Sequence, residues 1–142
     1  MYSALLHFHS GLRWVVLILI IVNVVNAYNG MSRKKIFAPA DRKLSLFALI
    51  STHLQVLLGL ALYAISPRVQ FSSETMSNAV LRFFTMEHTV MMLIAVILVT
   101  IGNSKAKAGN FKKEFWYYFI ALLVILAAIP WPFRAMLGGG WF

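Results

Sequence analysis

An all-α integral membrane protein, an antiparallel up-down bundle of four transmembrane helices, is the fold class this 142-residue sequence predicts. Three observations carry the prediction. Apolar residues make up 61% of the chain and charged residues 12%, against roughly 45–50% and about 25% in soluble domains. The apolar residues gather into four runs, at about 4–27, 44–65, 79–102 and 115–135, each close to the ~20 residues that cross a bilayer core. The connections between runs are short, which makes consecutive helices antiparallel neighbours. A soluble domain of this size would leave much of that apolar surface in water, and a disordered chain needs the reverse composition. Residues 1–142 therefore read as a single membrane domain in contact with the lipid bilayer.

The first run lacks a basic leader, is too long for a signal-peptide core and is followed at once by basic residues, so it is expected to be a retained helix. His9, Arg13, Val16, Ile20 and Asn23 recur at helical spacing on it, a polar seam that should face inward. Asn29-Gly30 and Pro39 mark the connection to the second run. There, His53 shares one stripe with Leu49, Leu57 and Leu60, and Thr52, Gln55, Gly59 and Tyr63 form another. The first stripe suits a cofactor pocket and the second suits close helix contact. Ser66-Pro67 ends the run. In the third run His88 shares its face with Leu81, Met91, Met92 and Ala95, and Gly109-Asn110 marks the turn into the fourth. Pro130 and Pro132 end or kink the fourth, and Gly138-Gly139-Gly140 follows as a flexible tail. Trp14, Trp116, Tyr117, Tyr118, Trp131 and Trp141 lie near the ends of the runs, where amphipathic rings anchor in the headgroup layer.

The net charge of +9 reads as topology, because short cytoplasmic loops retain Lys and Arg. Arg33, Lys34, Lys35, Arg42 and Lys43 fall between runs one and two, and Lys105, Lys107, Lys112 and Lys113 between three and four. Loops 28–43 and 103–114 are thus expected in the cytoplasm, with both termini periplasmic in a multi-pass inner-membrane protein. No nucleic-acid motif accompanies the basic charge, so no nucleic-acid partner is expected.

Intramembrane polar groups carry the functional signal, since a charge at the bilayer centre costs at least about 2.5–3.5 kcal/mol. Arg13, Arg82, Glu87 and Arg134 lie at or within the runs, all toward the expected outer side. Arg82 and Arg134 are near enough to the ends to snorkel, whereas Arg13 and Glu87 suggest an ion pair facing the interior, or a quinone site between them. All four histidines, His7, His9, His53 and His88, also lie in the runs. With no cysteine, disulfides, iron–sulfur clusters and covalent c-type haem attachment are excluded.

Two imidazoles from different helices can hold a haem iron axially, with an apolar wall over the macrocycle and cationic groups for its propionates. His53 and His88 are the expected axial pair and ligands of the haem iron, with His7 and His9 as alternatives. Arg13, Arg82 and Arg134 are the expected cationic rim. A bare metal is the competing chemistry, with Met91 and Met92 near His88 suited to Cu(I), but His7 and His9 point about 200° apart on a helix. No hydrolase or transferase motif is present, and no catalytic nucleophile is assigned.

The runs HFHSGLRWVV, STHLQVLLGLALYAISP, FFTMEHTVMMLIAVILVTIG and IPWPFR resemble, over nearly the whole chain, small four-span proteins of Bacteroidetes-type bacteria labelled "cytochrome B". More distantly, HLQVLLG in one helix and a histidine early in the next are similar to one half of heme A synthase, which has two such halves. The resemblance implies haem b binding, with His53 and His88 at ligand positions. The expectation is a b-type cytochrome passing single electrons to a redox partner, within a larger membrane complex or as a homo-oligomer. The alternative is a non-catalytic accessory subunit whose buried histidines serve helix packing or partner binding.

Overall fold

The computed structural model describes residues 1–141. Among these residues the chain is helical with no strand: α1 is Tyr2–Ser32, α2 is Pro39–Ile65, α3 is Ala79–Lys107 and α4 is Phe111–Ala128. A short 3-10 turn, Ala135–Leu137, lies in the tail. Helices α1, α2 and α3 are each long and apolar enough to cross a membrane.

The helix starts follow from local chemistry. Pro39 opens α2, where its missing N–H costs nothing, and Asp41 accepts the Ala38 N–H at 2.8 Å. Asp41 also accepts from Asn26 at 2.9 Å and Lys35 at 3.0 Å, tying the end of α1 to the start of α2. Asn78 caps α3 by accepting from Val80 and Leu81, and Asn110 caps α4 by accepting from Lys113. Gly109, at φ +70°, supplies the left-handed residue between α3 and α4. Helix α4 stops at Ala128, well short of the expected 135, because Ile129 is extended ahead of Pro130.

Helix α3 is not uniform. Residues Phe83–Glu87 form a π-helical turn immediately before His88, and Thr89 donates to the Phe84 carbonyl five residues back, at 3.2 Å.

The helices contact one another in the order α1, α2, α3, α4 and back to α1. Val16, Leu17, Ile20, Val24, Ala48, Ala95, Val99, Ala121 and Ile125 form the core. Small residues allow close approach: a Cβ on Gly102 would stand 2.7 Å from the Tyr118 ring, and one on Gly30 2.6 Å from Phe111. Large apolar side chains such as Phe8, Ile18, Leu57, Ile97 and Leu123 remain exposed on the outside of all four helices. That apolar exterior suits lipid contact. Tyr118, expected as an interfacial anchor, is instead fully buried, with its hydroxyl donating to the Ser45 carbonyl at 2.9 Å.

Candidate functional site

At the end of the molecule opposite the basic connections, a cavity of about 200 Å³ opens between α1, α2 and α3, with Ile125 of α4 and the tail also along its wall. Its walls include His9 and Arg13 from α1, Gln55, Gly59 and Tyr63 from α2, His88 and Met92 from α3, and Gly138–Gly140.

His9 and His88 face each other, ring centres 6.4 Å apart and planes at 71°. The His88 Nδ1 lies 2.8 Å from the Ala128 carbonyl. Because a carbonyl only accepts, Nδ1 carries the proton and Nε2 keeps its lone pair. The broken end of α4 thus orients His88, since Ala128 is the last helical residue. Phe83 and Phe84, from the π turn, wall the His88 ring at 5.8 and 6.3 Å between centres.

His9 is positioned from α2. Gln55 donates to the His9 carbonyl at 2.8 Å, and Gly59 leaves room for the ring, since a Cβ there would stand 3.2 Å from His9 Cε1. The His9 Nδ1 is buried with no hydrogen-bond partner, as is Arg13 Nε. Arg13 reaches the tail through Nη2, which donates to the Gly140 carbonyl at 3.1 Å and the Trp141 carbonyl at 2.7 Å. Trp14 donates to the same Trp141 carbonyl at 2.9 Å.

Several expected positions lie elsewhere. His53 is exposed on the outside of α2, its Nδ1 bonded to its own helix at the Leu49 carbonyl, 2.9 Å away, so it does not meet His88. Its stripe-mates Leu57 and Leu60 are exposed with it. The stripe expected only for helix contact, Thr52, Gln55, Gly59 and Tyr63, lines the cavity in full, whereas of the His53 stripe only Leu60 reaches it. His7 is exposed and outside the cavity lining.

Arg13 and Glu87 do not pair. Glu87 instead accepts from Arg82 Nε at 2.8 Å. The reason is the π turn: residues five apart stack across it, so Arg82 is placed over Glu87 within α3. Arg82 also donates to the Met76 carbonyl, and Arg134 donates to the Ala127 carbonyl while its guanidinium sits over Phe83. Neither lines the cavity. Arg68, which follows α2, does line it, reaching the Leu137 and Gly138 carbonyls at 3.4 and 3.5 Å. Its signal was its position three residues after the end of α2.

Among the described residues no three histidine, aspartate or glutamate side chains converge as a site for a bare metal ion. The fold and the cavity thus define an all-helical chain with membrane-spanning-type helices and one pair of imidazoles on a shared cavity. No family model, curated protein or solved structure matches the chain.

Proposed function

We propose that this chain is a small b-type cytochrome of the bacterial inner membrane, four antiparallel spans holding haem b between His9 and His88 for single-electron transfer. One observation carries the proposal: two imidazoles from different helices line one cavity, their ring centres 6.4 Å apart in an edge-to-face arrangement. His9 and His88 are the residues that would hold the group, one imidazole from α1 and one from α3. Two protein ligands are too few for a bare ion, and haem would ask no more than two of the chain.

The remaining residues fit such a group. The Ala128 carbonyl fixes the His88 tautomer and raises its basicity as a ligand. Gly59 gives the His9 ring room to lie against α2, Phe83 and Phe84 pack on the His88 ring, and the Arg13 and Arg68 guanidiniums offer cationic partners for carboxylate groups. Bound haem would supply reversible one-electron chemistry, and its potential would follow the axial ligands and the dryness of the pocket. Electrons would come from and go to a redox partner in the same membrane.

A second reading, a non-catalytic accessory subunit, is favoured by one contact: His88 already ties α3 to α4 through Ala128, a role membrane histidines fill without a cofactor. Absorbance decides between them. Protein purified from haem-replete cells is expected to show a Soret peak and a reduced α-band, both lost in His9→Ala and His88→Ala and kept in His53→Ala and His7→Ala. A colourless wild-type preparation overturns the cytochrome proposal and leaves the accessory role.

A further inference from the structure

A second polar centre lies at the basic end of the molecule. Asn23 lies 14 residues beyond His9 on α1, about 21 Å along the helix. All four helices contribute to the centre: Asn23 from α1, Ser45 from α2, Asn103 from α3, and Glu114 and Tyr118 from α4. Asn23, Ser45, Glu114 and Tyr118 are completely buried and Asn103 is 4% exposed. Ser45 Oγ donates to Asn103 Oδ1 at 3.2 Å and lies 3.0 Å from the Tyr118 hydroxyl.

Glu114 is the unexpected member. Among the described residues the ion pairs are Lys35 with Asp41 and Arg82 with Glu87, so no cation meets this carboxyl group. Its sequence neighbours Lys112 and Lys113 are exposed. The charged and titratable groups facing it are Asp41 on α2, which adds like charge, and Tyr118 on its own helix; α1 brings the neutral amide of Asn23 and α2 the Ser45 hydroxyl, which donates to Asn103 on α3. The first turn of α4 favours an anion, but by much less than burying an unpaired carboxylate costs.

The hydrogen bonds show where the imbalance sits. Asn23 Nδ2 donates to Glu114 Oε1 at 3.1 Å. The other atoms of the same two planar groups, Glu114 Oε2 and Asn23 Oδ1, are both buried without a partner. Both are acceptors, and one hydrogen on Oε2 supplies the donor that each lacks.

We infer that Glu114 and Asn23 form a proton-binding site, a carboxylic acid–amide pair in which Glu114 Oε2–H donates to Asn23 Oδ1 and Asn23 Nδ2–H donates to Glu114 Oε1. The ligand is a proton exchanged with water at the basic end. In its bound form the pair is neutral and self-satisfied, which lets four helices converge on a carboxyl group in a dry interior. Release of the proton leaves an anion there with no counter-charge.

Infrared spectroscopy of the full chain tests this, because only Asp41, Glu74 and Glu87 share the carboxyl chemistry and Asp41 and Glu87 are ion-paired. At neutral pH a protonated-carboxyl stretch that shifts in D2O is expected, and its loss in Glu114→Gln. In Asn23→Leu the stretch should persist at higher frequency, because its carbonyl loses a donor. Glu114→Gln, whose amide reproduces both hydrogen bonds, should fold and melt within a few degrees of wild type. Raising pH should lower the wild-type Tm more than that of Glu114→Gln. Absence of the stretch at neutral pH overturns the proposal, as does a stretch unmoved by Asn23→Leu. A wild-type Tm raised by sodium or potassium chloride but not by choline chloride, with the difference abolished in Glu114→Gln, also overturns it, by assigning the oxygens to an alkali cation.

Discussion

Gly59 is the residue on which the histidine cavity turns. Its missing side chain is what lets the His9 ring lie against α2, with Cε1 only 3.2 Å from where a Cβ would stand. Alanine there asks the ring to yield a few tenths of an ångström, while leucine fills the space and forces it away, at a cost of about 1–3 kcal/mol if the core has to absorb it. Gly59→Leu is therefore expected to cut haem retained per protein by roughly tenfold or more, the equivalent of about 1.4 kcal/mol, with helix content unchanged by circular dichroism. Leu57→Ala, on the exposed side of the same helix, should leave the Soret ratio unaltered. A full Soret ratio in Gly59→Leu removes His9 from the ligand role. The sequence contains both cavity histidines in plain view, but not their pairing. Leu49, Leu57 and Leu60 made the His53 stripe look like a pocket wall, yet in a helix with lipid outside, apolarity does not mark the interior. Small and polar side chains do, because they allow close approach and need partners, and that is the stripe of Gln55, Gly59 and Tyr63 that the cavity uses.

At the scale of the element, α3 owes its shape to the π turn at Phe83–Glu87. Such a turn holds one residue more than an α-helix needs, so the residues before it are rotated by about 100° relative to those after it. That rotation pairs Arg82 with Glu87 and brings both phenylalanines against His88. Neighbouring elements hold the turn in place: the Tyr63 hydroxyl on α2 donates to the Thr85 carbonyl at 3.0 Å, and Thr85 Oγ1 accepts from the Gln70 N–H at 3.1 Å. Tyr63→Phe removes one of these bonds while keeping the ring. It is expected to lower stability by about 1 kcal/mol in denaturant unfolding and to weaken haem retention, whereas Tyr28→Phe, on an exposed side chain far along α1, should do neither. Equal stability of Tyr63→Phe and wild type would mean that α3 keeps its π turn unaided. The turn at Gly109-Asn110 was legible, since it is a local signal carried by two adjacent residues. The π turn was not, because nothing in FFTME differs from an α-helical stretch until α2 supplies the partner for its carbonyl. The expected Arg13–Glu87 pair failed for a related reason: depth within the spans suggested it, and the π turn gives Glu87 a partner five residues back on its own helix.

Across the whole molecule, positive charge is distributed in two distinct ways. At the cavity end every arginine is engaged: Arg13 and Arg68 with carbonyls of the tail, Arg82 with Glu87, and Arg134 with Ala127 and the Phe83 ring. At the other end Lys34, Lys107, Lys112 and Lys113 project freely beside Arg33, Arg42 and Lys43, all exposed. Lys105 and Lys107 also lie in the last turn of α3, where the helix dipole favours a cation. Free, hydrated charge resists translocation, whereas arginines committed to internal carbonyls and a carboxylate travel as parts of the fold. The basic end is therefore the one expected to stay in the cytoplasm, which places the histidine cavity near the periplasmic face and the Glu114–Asn23 pair near the cytoplasmic one. Fusing reporters to the C-terminus of the full chain measures this. Alkaline phosphatase, which matures only in the periplasm, is expected to be active there, and green fluorescent protein dark. Replacing Arg33, Lys34, Lys35, Arg42 and Lys43 by glutamine should raise the dark fusion's fluorescence as part of the population inverts, while the same change at Arg68 should not. A fluorescent C-terminal fusion on the unaltered chain would reverse the orientation and place the cavity, with whatever redox partner it serves, on the cytoplasmic side.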